Sequence, residues 1–107
     1  VKRFGQIIKV RPEKLAYYKE LHAHPWPGVN KMLKESNIQN FSIYYKNGLL
    51  FSYFEYTGDD YEKDMEKVKA DPETQRWWKE TDPCQEPLET RQPGEWWADM
   101  EEVYHLD

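Results

Sequence analysis

The sequence predicts an α+β fold of ferredoxin-like order, β-α-β-β-α-β, in a single domain spanning residues 1–107. Three observations lead there. Alternating side chains mark strands near both ends of the chain and in its middle. Two stretches of helical periodicity, each broken by a proline, separate those strands. An Asn47-Gly48 pair joins the two central strands as a tight hairpin.

Arg3 to Val10 alternates, with Phe4, Gln6, Ile8 and Val10 on one face and Gly5, Ile7 and Lys9 on the other. Both faces carry apolar residues, so both need cover. Pro12 suits a first helical position and Glu13 suits the positive end of a helix. Leu15, Tyr18 and His22 share one face of that helix, which runs to about Ala23. Pro25 stops it, and Trp26, lying before Pro27, is held extended. Pro27 opens a second helix with Val29, Met32 and Leu33 as its apolar stripe. Phe41 to Tyr45 alternates again, with Phe41, Ile43 and Tyr45 on one side and Ser42 and Tyr44 on the other. Leu49 to Tyr56 returns as the second hairpin strand. After Gly58-Asp59-Asp60 a helix carries Tyr61, Met65 and Val68 at helical spacing, and its charged residues read as a solvated face. Asp71-Pro72 restarts a helix that bears Gln75-Arg76-Trp77-Trp78. Asp82 to Glu95 reads as a long polar loop. Met100 to Leu106 reads as a last strand. Two helices cover one sheet face, and a second copy of the chain is the simplest cover for the other. A homodimer is therefore expected.

At 107 residues the chain holds one compact domain. It is 16% aromatic, enough rings to build a core although 33% of its residues are charged. Its net charge is −5 and its basic residues are scattered. That argues against nucleic acid and against an anionic membrane surface. No apolar run reaches a spanning length and the N-terminal residues show no signal-peptide core, so a cytoplasmic protein is expected. Cys84 is the only cysteine, which excludes an intramolecular disulfide and a cysteine-rich metal site.

The candidate chemistry lies in Tyr18-x-x-x-His22 followed by Trp26-Pro27. Four residues is about one helical turn, so Tyr18 and His22 project side by side. His22 reads either as a structural histidine bonded to backbone or as a general acid/base near neutral pH. His24 lies two positions on and points away, so a His-x-His metal site is not expected. Trp77 and Trp78 are about 100° apart on a helix, so one faces the core while the other turns to an edge. Both pack the interior, or one forms a wall suited to the C–H face of a sugar. Trp26, Tyr18 and Tyr44 are further candidates for that wall. Cys84 sits among acidic neighbours and is read as chemically incidental.

These motifs resemble the L-rhamnose mutarotases. The resemblance rests on Tyr18-x-x-x-His22, Trp26-Pro27, Ile43-Tyr44, Gln75-Arg76-Trp77-Trp78 and Glu101-Glu102-Val103-Tyr104, in that order over essentially the whole chain. It implies a dimeric α/β barrel built on the ferredoxin-like unit. It implies His22 as the acid/base residue, with Tyr18, Trp77 and Trp78 on the sugar, and no cofactor. A substrate-binding tyrosine of the family falls at Phe41 here, which lacks the hydroxyl. The expected function is an aldose mutarotase that interconverts the anomers of a 6-deoxy sugar, either L-rhamnose or a relative such as L-fucose. Two rivals remain at this point: a cofactor-free monooxygenase on the same barrel, and a non-catalytic sugar-binding module.

Overall fold

Proline and Asn-Gly punctuation sets most of the element boundaries. The computed structural model describes residues 1–107. In order the elements are β1 (Lys2–Val10), α1 (Leu15–Ala23), α2 (Pro27–Glu35), β2 (Ile38–Lys46), β3 (Leu49–Tyr56), α3 (Tyr61–Ala70), α4 (Pro72–Thr81), β4 (Gln85–Glu86) and β5 (Ala98–Met100). Pro12 opens a short 3-10 turn ahead of α1. Trp26 is extended, with φ −74° and ψ 125°, and Pro27 starts α2 behind it. Asp60 and Asp71 cap α3 and α4 by accepting from the backbone N–H of Lys63 and Thr74. Asn47 and Gly48 have φ of 50° and 81°, the left-handed pair that a two-residue hairpin requires.

The sheet is antiparallel throughout and runs β2-β3-β1-β4, with β5 also on β1. This is the ferredoxin-like order, with one correction. The fourth strand is not Met100 to Leu106. It comes in two pieces: β4 pairs with Val10 and Lys9, and β5 pairs with Ile7, Gln6 and Gly5. The Pro-rich segment between them is an excursion from a single strand position. Asp82–Cys84 is a 3-10 turn and Gln85 is buried in the sheet, so the polar loop is shorter than the sequence suggests. Glu101 to Asp107 form no regular structure. The β1 ladder begins at Lys2, and the β5 register reaches that residue within three positions of Met100. Beyond it the tail has no strand to pair with. Arg3 holds the tail there through a two-bond ion pair to Glu102.

Side chains on the helix-covered sheet face form two cores. One is Ile8, Val10, Tyr18, Leu50 and Cys84, with Leu15, Ile43 and Trp97 against it. The other is Ile38, Phe54 and Tyr56, with Phe4, Leu33, Tyr61 and Met65. Along β3 the inward positions read Leu50, Ser52, Phe54 and Tyr56, and along β1 they read Phe4, Gln6 and Ile8. Ser52 and Gln6 pair across the strands, so a polar row divides the two cores. Small or polar groups in the middle of an apolar sheet cannot fill the space under the helices, and a cavity opens there. The opposite face carries Ile7, Phe51, Tyr53, Tyr44 and Met100. Its first three are half-buried, while Tyr44 and Met100 are exposed.

Candidate active site

A cavity of about 680 Å³ lies between the sheet and the helices. That is within the usual range for small-molecule sites. Helix α1 contributes Tyr18 and His22 to its wall, α4 contributes Trp77 and Trp78, and the extended link before α2 contributes Trp26. The helical spacing places the Tyr18 and His22 rings 4.3 Å apart, centroid to centroid. His22 meets the edge of Trp77 at 5.2 Å, and Trp77 meets Trp26 at 5.3 Å. Tyr18, His22, Trp77 and Trp26 are thus one contiguous aromatic run. The proline on each side of Trp26 is the local cause: α1 ends just after His22 and the chain turns so that Trp26 comes back against Trp77.

Hydrogen bonding fixes the tautomer of His22. Its Nδ1 lies 2.8 Å from the Tyr18 carbonyl oxygen. A carbonyl oxygen only accepts, so Nδ1 carries a proton, and in the neutral ring Nε2 keeps its lone pair. Burial lowers the pKa of the ring, opposed in part by the bond to the Tyr18 carbonyl. A neutral ring with a bare Nε2 is a base near pH 7. The structural bond to backbone occupies Nδ1 and leaves Nε2 free, so it does not exclude the acid/base reading of the same ring.

Tyr18 is 4% exposed and burial pushes its phenol up to about 12, so it keeps its proton. Its oxygen accepts from Gln85 Nε2 at 3.1 Å. Trp77 is buried, whereas Trp78 is exposed at the cavity edge, the division expected of adjacent residues on a helix. Phe41 borders the cavity, half-exposed, with its ring 5.4 Å from Phe54. Tyr44 also borders the cavity, but its strand partner is Phe51. Its side chain therefore stands on the opposite face from Leu50 and Ser52, and it is 66% exposed. The other two histidines are elsewhere: His24 pairs with Glu20 on the helix surface, and His105 pairs with Asp107 in the tail. No three His, Cys, Asp or Glu side chains converge as a metal site would require. Cys84 is buried and its Sγ–H donates to the Glu80 carbonyl; burial raises its pKa.

Three polar residues of the cavity were not singled out in the sequence. Ser52 is 4% exposed and its Oγ has no hydrogen-bond partner. Gln85 is equally buried and bonded to Tyr18. Asp82 lines the cavity, and burial raises its carboxyl pKa. A signal existed for Ser52, because a polar residue at an inward position between Leu50 and Phe54 breaks the apolar row. None existed for Gln85, whose neighbours in sequence are proline, cysteine and acidic residues.

The family model for L-rhamnose mutarotase matches residues 3–106. An L-rhamnose mutarotase from Ligilactobacillus salivarius is 34% identical, over 98% of this chain and 97% of that protein. One from Oceanobacillus iheyensis is 32% identical, over the full length of both. Among solved structures, an L-rhamnose mutarotase from Formosa agariphila superposes with a TM-score of 0.76 at 19% identity, covering 100% of both chains. Tetracenomycin F2 cyclase from Streptomyces glaucescens superposes at 0.74 with 12% identity, covering 100% of this chain and 98% of that one. These two likenesses concern the fold, an α+β unit of the dimeric α/β barrel type.

Proposed function

The chain belongs to the L-rhamnose mutarotase family of carbohydrate isomerases, and on that premise we propose that its cavity interconverts the α and β anomers of a 6-deoxy hexose through proton transfer at His22. The observation that carries this reading is the His22 ring whose Nδ1 is tied to the Tyr18 carbonyl within an aromatic cavity. The chemistry needs one proton carrier and no cofactor. His22 Nε2 takes the proton from the anomeric hydroxyl. The C1–O5 bond breaks, its electron pair goes to O5, and the imidazolium returns the proton there. The open-chain aldehyde turns about C1–C2. O5 then attacks the other carbonyl face while His22 takes the proton from O5 and passes it to O1. Tyr18, Trp77, Trp78, Trp26 and Phe41 make the wall on which the sugar lies. L-rhamnose is the first substrate to test. Phe41, which offers no hydroxyl, is the reason to test L-fucose beside it.

The far face of the sheet supports a homodimer. Ile7, Phe51, Tyr53, Tyr44 and Met100 form a contiguous apolar patch that a second copy would bury, and sedimentation at several concentrations tests it. Tyr44 then belongs to the subunit seam, with no sugar contact assigned to it. No helix is long and apolar enough to cross a membrane. A cytoplasmic setting fits free sugars and a single buried thiol.

The test is anomer exchange measured by proton NMR saturation transfer on free L-rhamnose and L-fucose. The parent chain should accelerate at least one. General acid–base help is typically worth about 10²–10⁴-fold, so His22→Ala should lose on that order. If His22→Ala exchanges both sugars as fast as the parent, the assignment is wrong.

A further inference from the structure

Two hydrogen bonds run in line along the cavity wall, one part-buried and one buried. The Trp96 indole Nε1 donates to Gln85 Oε1 at 2.7 Å, and Gln85 Nε2 donates to the Tyr18 hydroxyl at 3.1 Å. The direction of both follows from chemistry. An indole N–H only donates, so the Gln85 atom facing it must be the oxygen. The Gln85 amide nitrogen therefore faces Tyr18, and an amide nitrogen does not accept. The Tyr18 oxygen must be the acceptor, and its own hydrogen must point elsewhere. No side chain or backbone group of the protein accepts that hydrogen. The ring lines the cavity, and its pKa of about 12 keeps the hydrogen in place through the neutral range.

We propose that Gln85 and Trp96 are positioning residues that lock Tyr18 as a hydrogen-bond donor into the cavity, aimed at the ring oxygen of the bound pyranose. The assignment rests on the mutarotase reading of this site. A pyranose has a single acceptor-only oxygen, the ring O5; every other oxygen is a hydroxyl that can also donate. His22 Nε2 is acceptor-only and needs a hydroxyl, which the anomeric O1–H supplies. O1 and O5 are bonded to the same carbon. The donor and the acceptor of the site come from rings 4.3 Å apart. One donor beside one acceptor thus matches the two oxygens that exchange a proton. As C1–O5 breaks, negative charge grows on O5, and a hydrogen bond from Tyr18 strengthens as it does so. Such a bond stabilises the transition state more than the bound sugar. Tyr18 transfers no proton in this scheme; the proton leaves O1 and reaches O5 through His22. The Pro-rich excursion between β4 and β5 gains a purpose, since it carries Trp96 back onto Gln85.

The test reverses the direction of the relay. In Gln85→Glu the carboxylate accepts from both Trp96 and Tyr18, which draws the phenol hydrogen away from the sugar. The kcat for anomer exchange should fall about 10- to 100-fold, with KM changed much less, as expected for loss of one transition-state donor. In a Tyr18→Phe background the same change should cost less than about twofold, because residues acting as one unit are not additive. Trp96→Phe frees the Gln85 amide to flip and should lower kcat a few-fold, again only when Tyr18 is present. Trp96 is 42% exposed, so this variant keeps the fold and decides the matter alone if Gln85→Glu does not fold by circular dichroism. Parent-like kcat in both variants, or a loss that persists undiminished in the Tyr18→Phe background, overturns the assignment while leaving the mutarotase reading intact. A parent chain that accelerates no sugar overturns both.

Discussion

Ser52→Ala should stabilise the protein. Ser52 sits at the centre of the sheet, 4% exposed, between Gln6 on β1 and Ile43 on β2. Its Oγ has no partner. In the unfolded chain that hydroxyl is bonded to water, and folding strips the water without replacing it. An unsatisfied buried group costs about 1–3 kcal/mol. Removing the oxygen also forfeits its dispersion contacts, at about 0.1–0.2 kcal/mol per atom pair and on the order of 0.5 kcal/mol together. The net expectation is a gain of about 1 kcal/mol. For a domain of this size that raises Tm by about 4 °C. Thermal unfolding followed by far-UV circular dichroism measures it, at one fixed protein concentration because self-association also shifts Tm. Urea unfolding should show a higher midpoint with an unchanged slope. A Tm lowered by 2 °C or more would refute the reasoning, because it would mean that the hydroxyl is satisfied in the folded chain.

Three other expectations follow from named contacts. Burial lowers the His22 pKa below 6.5, so the neutral base persists through pH 7 and kcat/KM should fall only as pH drops through the depressed value. A folded pKa below the unfolded one also means that stability declines as pH falls below about 6.5, and His22→Gln should flatten both profiles. Tyr56→Phe removes the 2.5 Å bond from the Tyr56 hydroxyl to Asp64, the main cause of a carboxyl pKa held at about 2. Asp64 stabilises the fold above its unfolded pKa and loses that contribution as pH falls toward about 2, so the variant should acid-unfold at higher pH; an unmoved midpoint counts against the assignment. Phe41→Tyr adds a hydroxyl at a half-exposed ring beside Phe54. It should change Tm little and raise the L-rhamnose to L-fucose exchange ratio, and an unaltered ratio would remove Phe41 from specificity.

What could be read from the chain was what local chemistry decides. Asn47-Gly48 specifies its hairpin without help from elsewhere, and the prolines at 12, 25, 27 and 72 mark helix edges because each removes a backbone donor. The fourth strand was misplaced for the opposite reason. Its extent is set by pairing with β1, which ends at Gly5 opposite Met100, and nothing within Met100 to Leu106 records where that pairing stops. Period-two patterning says that a segment can be a strand, and a neighbour with free N–H and C=O groups decides whether it is one.

The candidate site divides along the same line. Tyr18 and His22 are four residues apart on one helix, so their meeting is a property of the helix itself. Tyr44 alternates with Phe41, Ile43 and Tyr45, so its side chain stands on the other sheet face from Leu50 and Ser52 even though it borders the cavity. Gln85 and Tyr18 are 67 positions apart, and Gln85 and Trp96 meet only because the chain leaves the fourth strand and returns. Those bonds exist only in the folded molecule, yet they give the phenol hydrogen a direction. A tyrosine alone can donate or accept and would suit any sugar hydroxyl. Held by a donor whose own orientation is set by a tryptophan, it turns its hydrogen toward the cavity, and on the proposal above the acceptor it meets on a pyranose is the ring oxygen.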